Sequence, residues 1–414
     1  MKKSVKKKIA GLMMAAVLSG TWCFASLAAG PAASLLEDGE ENARLMDHTV
    51  EWDEVETLVK YWNPTYRQYA DTAEGFVNDL DSGRREDAEN LEKSIDTIDQ
   101  NLEEIRLQRE KLSGLPGSMV IDARGTTVDQ TLAMLSQTEA YLKESRQQAK
   151  KGIQQLDNQV HMITKTYDDS LKPVRDQITR VVEGLMVSYH QLLVNRQLVE
   201  KQIALYEAMA QTQADMQGKD LATQAAVASA NAQLQEARAT LLTVDNGLTE
   251  LKRAIGMQTG YAAEDPPEIG PVPVPDPAKY DGIDVEAARK QAFDNNKELE
   301  SVSDLKNYKG SGALVERDGA ANQKKAELSG KFDKIYASLM EQKLLYASAQ
   351  TSLRRAQLTR DQAKRQYALG LLGRAEYLGR ELECLSCEAA VSNASLSFAQ
   401  AANTYEWALK GAFD

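Results

Sequence analysis

Residues 331–367 read KFDKIYASLMEQKLLYASAQTSLRRAQLTRDQAKRQY. Phe332, Ile335, Leu339, Gln342, Tyr346, Ala349, Leu353, Ala356, Arg360, Ala363 and Tyr367 step through this stretch by alternating threes and fours. A mean spacing of 3.5 residues keeps one seam facing a partner helix, as in a coiled coil. A helix predicted from about Ala320 to Leu369 would run roughly 75 Å at 1.5 Å per residue. Helices buried in globular cores seldom reach that length. Leu185, Tyr189, Leu192, Arg196, Val199, Ile203 and Tyr206 repeat the pattern in the first half. The last helical segment carries two seams. One is Leu378, Leu382, Leu385, Ala389, Ser392, Leu396 and Ala399; the other is Cys384, Cys387, Val391, Ala394, Phe398, Ala402 and Tyr405. Two apolar stripes on one helix require neighbours on two sides, as in a bundle or a closed wall of helices.

Composition agrees with long helices. Of 414 residues, 43% are apolar and only 6% aromatic, which disfavours a β-sandwich. Six of the ten prolines fall between Pro266 and Pro277, so the rest of the chain is nearly free of helix breakers. A formal charge of −12 argues against a nucleic-acid partner, which needs a basic footprint. Three His and three Cys exclude a disulfide scaffold and disfavour a metalloenzyme.

The first 29 residues read as an export signal. Lys2, Lys3, Lys6, Lys7 and Lys8 form a positive region, Ile9–Leu18 a short apolar one, and Ser26-Leu27-Ala28-Ala29 a small-residue cleavage site. Trp22 before Cys23 argues against a lipoprotein signal. No later segment is apolar enough for a membrane-spanning helix. The expected location is therefore outside the cytoplasm.

The expected organisation is a first helical repeat over 30–256, a stiff Pro-rich linker over 257–283, and a second helical repeat over 284–414, with Asp284 as N-cap. Helix breaks are expected at Asp81-Ser82-Gly83, Ser113–Thr127, Pro173, Gln217–Asp220, Lys309–Gly319 and Gly370–Gly373. At an offset of 155, Gly218 falls on Gly373 and Gly256 on Gly411. Asn63-Pro64 and Asn295-Asn296 open the two halves at an offset of 233, leaving 78 additional residues in the first half. Those residues pattern as an antiparallel helical hairpin spanning about 84–167, with one seam through Leu91, Ile95, Ile98, Leu102, Ile105 and Leu112.

Three stretches of the second half carry a family resemblance: AFDNNKEL (292–299), RQYALGLLGRAEYL (365–378) and ANTYEWALKG (402–411). WNPTY (62–66), DMQGKDL (215–221) and LKRAIG (251–256) match in the first half. Duplicated in order around a Pro-rich link and preceded by an export signal, they resemble the TolC-like outer membrane efflux proteins. The resemblance implies an all-α protomer of long antiparallel coiled-coil helices in two tandem repeats, closing as a homotrimer into a hollow α-barrel. It also implies a membrane β-barrel, and there the sequence departs. A membrane strand needs about 9–11 alternating residues. The expected positions offer only Gly117–Ala123 and Gly312–Arg317. The membrane strands are therefore read as missing, which argues against insertion by a β-barrel.

Chemistry is sparse. Cys384-Leu-Ser-Cys387 has redox spacing but lies on an apolar stripe inside a helix, where core packing explains it. His48, His161 and His190 are isolated, and the acidic run Glu37–Glu41 reads as a solvated face. No phosphate loop or nucleophile context is present. The expectation is a non-enzyme without cofactor or metal. The functional candidates are the helix-reversing tips: Gly218, Lys219 and Asp220, and Gly370, Leu371, Leu372 and Gly373. The resemblance implies that such tips dock an envelope adaptor protein and gate a passive duct driven by an inner-membrane pump, with an acidic lumen favouring cations. The alternative is a non-conducting coiled-coil scaffold of the cell envelope.

Overall fold

The structure, a computed structural model, describes residues 44–45, 47–122, 124–304 and 312–413. The export signal lies outside the described residues. Among the described residues eight helices dominate: α1 (Val55–Trp62), α2 (Pro64–Ser113), α3 (Val128–Gln217), α4 (Gln224–Gln258), α5 (Val285–Asp294), α6 (Lys297–Ser303), α7 (Ala313–Ala368) and α8 (Arg374–Leu409). Among the described residues the strands are β1 (Thr49–Val50) and β2 (Glu268–Ile269), a parallel pair two residues long, and no barrel closes. The all-α class follows from the helices themselves.

Two helical hairpins form the frame. α3 reverses into α4, and α7 reverses into α8. α8 then packs antiparallel on α3, joining the hairpins side by side. The two seams of α8 explain this position. Leu396 and Ala399 enter the core built by α1, α3 and α4 around Val182, Met186 and Ile255. Phe398, Ala402 and Tyr405, on the other stripe, enter the core with Phe332 and Leu339 of α7 and Ala292 of α5. Phe332 and Phe398 are wholly buried, each such side chain stabilising by about 2–3 kcal/mol.

α2 and the first part of α3 form an antiparallel coil tied at three levels. Arg84 bonds Asp157 at 2.7 Å, Arg146 bonds Asp99 at 2.7 Å, and Arg109 bonds Glu139 at 2.5 Å. Gly152 lets the arms approach: a Cβ there would meet Leu91 at 3.1 Å. Asn63 starts α2 with Pro64 at its first position, the residue whose missing N–H costs nothing there. Thr127 and Gln130 form a capping box that starts α3.

Several expected breaks do not occur. α2 runs through Asp81-Ser82-Gly83, because Arg84 and Arg85 clamp the Asp81 carboxylate at 2.8 Å each along the helix. α3 runs through Pro173, which is exposed, so water can serve the carbonyl that loses its partner. The break expected over Lys309–Gly319 is helix from Ala313 onward, and the strand candidate Gly312–Arg317 is the N-cap and first turn of α7. The other strand candidate contributes a single bridge, Val120 to Thr127. The Pro-rich stretch is no free spacer. Glu268 N–H donates to His48 at 2.9 Å and Gly270 N–H to Val50 at 2.9 Å, while Gly270 C=O meets His190 Nε2 at 2.7 Å.

Candidate functional site

The two tips lie level at one end of the molecule. Between α3 and α8, Gln191 meets Ser397 at 3.3 Å, Asn195 meets Asn393 at 3.1 Å and Lys201 meets Glu388 at 3.9 Å. Each pair of numbers sums to 588 or 589, the signature of an unbroken antiparallel register. Carried to the helix ends, that register sets Gly218 level with Gly370.

Each tip closes with the same bond pattern. In the first, Asp220 N–H donates to Gln217 C=O at 2.9 Å and Leu221 N–H to Met216 C=O at 2.8 Å. In the second, Gly370 N–H donates to Tyr367 C=O at 3.0 Å and Leu371 N–H to Gln366 C=O at 2.8 Å. The six-to-one bond is the Schellman closure, and it needs a left-handed residue just before its donor. Asp220 (φ 57°) supplies it in the first tip and Gly370 (φ 71°) in the second. The structural offset between tips is therefore 150, not 155. Gly218 (φ −62°) and Gly373 (φ −71°) use no glycine freedom, so the pairing of these two glycines expected from sequence is corrected. Gly373 instead matches Thr223, the N-cap of α4 whose Oγ1 accepts from Ala226 N–H at 3.2 Å. At the opposite ends of α4 and α8, Gly260 (φ 91°) matches Gly411 (φ 88°) at an offset of 151.

The site residues differ in what they present. Leu371 and Leu369 are 75% and 73% exposed, and Leu221 is 68% exposed. Leu372 is half-buried, anchoring the turn as Ala222 does in the other tip. Lys219 and Asp220 are exposed, with Asp215 beside them. The second tip is flanked by the exposed cations Lys364, Arg365 and Arg374. Tyr367 and Tyr377 stack across its neck, ring centroids 5.0 Å apart at 6°. The Tyr377 hydroxyl donates to Glu381, and this bond, with burial adding to it, pushes the phenol up to about 12.

Two sets of structural groups were not found from sequence. Asn63 and Asn296 each cap a helix and also clamp the end of the last helix in their own half. Asn63 Oδ1 accepts from Tyr66 N–H at 2.8 Å, while its Nδ2 donates to Gln258 C=O at 2.8 Å. Asn296 Oδ1 accepts from Leu299 N–H at 2.8 Å, while its Nδ2 donates to Gly411 C=O at 2.8 Å. Their offset of 233 was the visible signal. The second set joins the halves: Glu183 of α3 accepts from Asn403 Nδ2 and Trp407 Nε1 of α8, both at 2.7 Å. Burial pushes the Glu183 carboxyl up, and these two donors pull against it. Cys384 is buried beside Arg360 (3.7 Å), and burial raises its thiol. His48, His161 and His190 lie apart, and no acid, His or Cys cluster among the described residues could hold a metal.

No family model and no curated protein matches the chain. Solved structures with similar helical shape include an outer membrane protein, VceC, from Vibrio cholerae, 14% identical over 66% of this chain and 76% of that one (TM-score 0.40). The CmeC outer membrane channel of Campylobacter jejuni is 11% identical over 95% and 91% (TM-score 0.46). A membrane protein from Pseudomonas aeruginosa is 11% identical over 93% and 99% (TM-score 0.45).

Proposed function

We propose that this protein is an exported, non-enzymatic subunit of an efflux or secretion duct, closing with sister copies, as a homotrimer, into a hollow helical tube. One observation carries the reading. Four of the five long helices lie side by side in the order α4-α3-α8-α7, and both outer helices keep large apolar side chains in water. These are Leu242 on α4 and Leu344, Leu345 and Leu358 on α7. A sheet of helices with two apolar edges is a unit awaiting neighbours, and a head-to-tail contact of α7 on a sister α4 closes into a ring. The mechanism is passive: the level tips form one rim of the tube, and the reversing turns widen or narrow it. An envelope adaptor protein would meet that rim through Leu221, Leu369 and Leu371 with the cations Lys364, Arg365 and Arg374 at its edge, and an inner-membrane pump would supply the energy.

Light scattering on the purified protein tests the reading. A mass of three chains and tubes in electron micrographs are expected, and Leu344→Glu with Leu358→Glu should return monomers. A wild-type protein that stays a lone elongated monomer contradicts the duct. That outcome would favour a non-conducting coiled-coil scaffold, a reading supported by the α2–α3 coil standing where membrane strands were expected.

A further inference from the structure

The α2–α3 coil ends in a loop, residues 114–127, which lies about 135 Å along α3 from the tip at 1.5 Å per residue over its 90 residues. Leu115, Met119, Val120 and Ile121 are 39–55% exposed there, gathered at the extremity of a rod that also exposes Leu107, Met134, Tyr141 and Met162 along its length. The loop is tightly bonded to itself. Met119 N–H donates to Pro116 at 2.9 Å, Ile121 N–H to Thr126 at 3.0 Å, Val128 N–H to Met119 at 3.0 Å and Asp129 N–H to Gly117 at 3.1 Å. The Asp122 carboxylate accepts from Arg124 N–H at 3.0 Å, from Thr126 N–H at 2.8 Å and from the Thr126 hydroxyl at 2.7 Å. Gly117 lies close under the Asp129 carboxylate: a Cβ there would sit 2.3 Å from it and push that side chain aside.

Leu115, Met119 and Ile121 each donate their own N–H locally, to Leu112, Pro116 and Thr126, which lowers the cost of bringing these residues against lipid. We propose that this apex rests in the interfacial layer of a lipid bilayer, with Leu115, Met119, Val120 and Ile121 as the inserted side chains. Four half-exposed side chains supply on the order of 300 Å², well short of the roughly 800 Å² that each partner brings to a stable protein interface. A bilayer sets no such minimum. Lys111 and Arg124 are outnumbered by Glu110, Asp122 and Asp129, so the surface suits uncharged lipid rather than an anionic headgroup. The ionised Asp122 confines the contact to the interface. The proposal is independent of the duct reading, which stands or falls on mass.

The test is flotation of the full chain with phosphatidylcholine vesicles. The wild-type protein should float with little dependence on salt, and the combined substitution Met119→Asp, Val120→Asp and Ile121→Asp should lower partitioning by at least ~10-fold, because interfacial binding scales with buried apolar area. A second variant, Val120→Trp, reports directly: its emission should shift to shorter wavelength on adding vesicles and be quenched by brominated phosphatidylcholine. Failure of the wild-type protein to float, equal flotation of the aspartate variant, or unchanged emission from Val120→Trp would each overturn the proposal. So would a concentration-dependent doubling of mass that the aspartates abolish, which would assign the apex to a second copy.

Discussion

Asp220 and Gly370 occupy the same backbone station in two turns 150 residues apart, with φ of 57° and 71°. A left-handed residue with a Cβ costs roughly 1–2 kcal/mol, and Asp tolerates it better than most. Asp220→Gly should therefore stabilise its turn by about 0.5–1 kcal/mol, and Gly370→Ala should destabilise the other by about 1 kcal/mol. Hydrogen exchange at the Leu221 and Leu371 amides, the donors of the two closing bonds, reads these local effects. Slower exchange at Leu221 in the first variant and faster exchange at Leu371 in the second are expected. Shifts of the same sign would mean that the two stations are not equivalent.

Glycines inside and outside the helices should respond in opposite ways. Gly83 lies in mid-helix with nothing within 4 Å of an added Cβ. Gly83→Ala should raise stability by about 0.5–1 kcal/mol on helix propensity alone. Gly411 has φ 88°, and its Cβ would sit 2.3 Å from the Asn295 carbonyl oxygen, which is backbone and cannot rotate away. Gly411→Ala should cost about 3 kcal/mol or more, combining αL strain with a displaced helix end. Thermal melts of the two variants against the wild-type protein check both signs.

Glu183 ties the halves together and makes stability depend on pH. A carboxyl raised by burial binds its proton more tightly in the folded chain than in the unfolded one. Its contribution is full below the unfolded value, near pH 4.3, and is lost as pH rises through the folded value. Glu183→Gln keeps an acceptor for Asn403 and Trp407 but cannot ionise. It should flatten the fall in melting temperature above pH 4 and melt no lower than the wild-type protein at pH 7. Glu183→Leu leaves two donors without their acceptor and should cost about 2–5 kcal/mol. A wild-type profile with no slope in that range would remove Glu183 as its source.

How much of this was legible in the sequence depends on the range of the cause. The seams of α7 and α8 were readable because helical packing repeats every three or four residues, and Phe332, Leu339, Phe398 and Tyr405 are buried where the pattern put them. The offset of the repeat was misread because matching glycines look alike whatever their φ. Gly218 is the right-handed cap that ends α3, and the left-handed station of that tip belongs to Asp220. The break at Asp81–Gly83 was predicted from turn-forming residues, but Arg84 and Arg85 recruit Asp81 into helix-stabilising pairs. Glu183 and Trp407 are 224 residues apart, and no local pattern announces such a contact. At the tips, sequence marked the right loops, while the bond pattern was needed to show which residues close them and which leucines they expose.

Asn63 and Asn296 should behave as one device built twice. Each side chain does two tasks with two atoms: Oδ1 caps its helix and Nδ2 holds the carbonyl at the end of the last helix of its half. Asn→Asp keeps the first task and forfeits the second, placing an anionic oxygen against a carbonyl. Asn→Ala forfeits both. A lost cap costs about 1 kcal/mol, and an orphaned buried carbonyl about 1–3 kcal/mol. Asn296→Ala should thus lose more in the urea midpoint than Asn296→Asp, and the same order should hold at Asn63. The two clamps share no partner, so the double variant Asn63→Ala, Asn296→Ala should sum the single effects to within about 0.5 kcal/mol. An excess well beyond that sum would mean that the halves unfold as one block, with the Glu183 joint transmitting the loss from one clamp to the other.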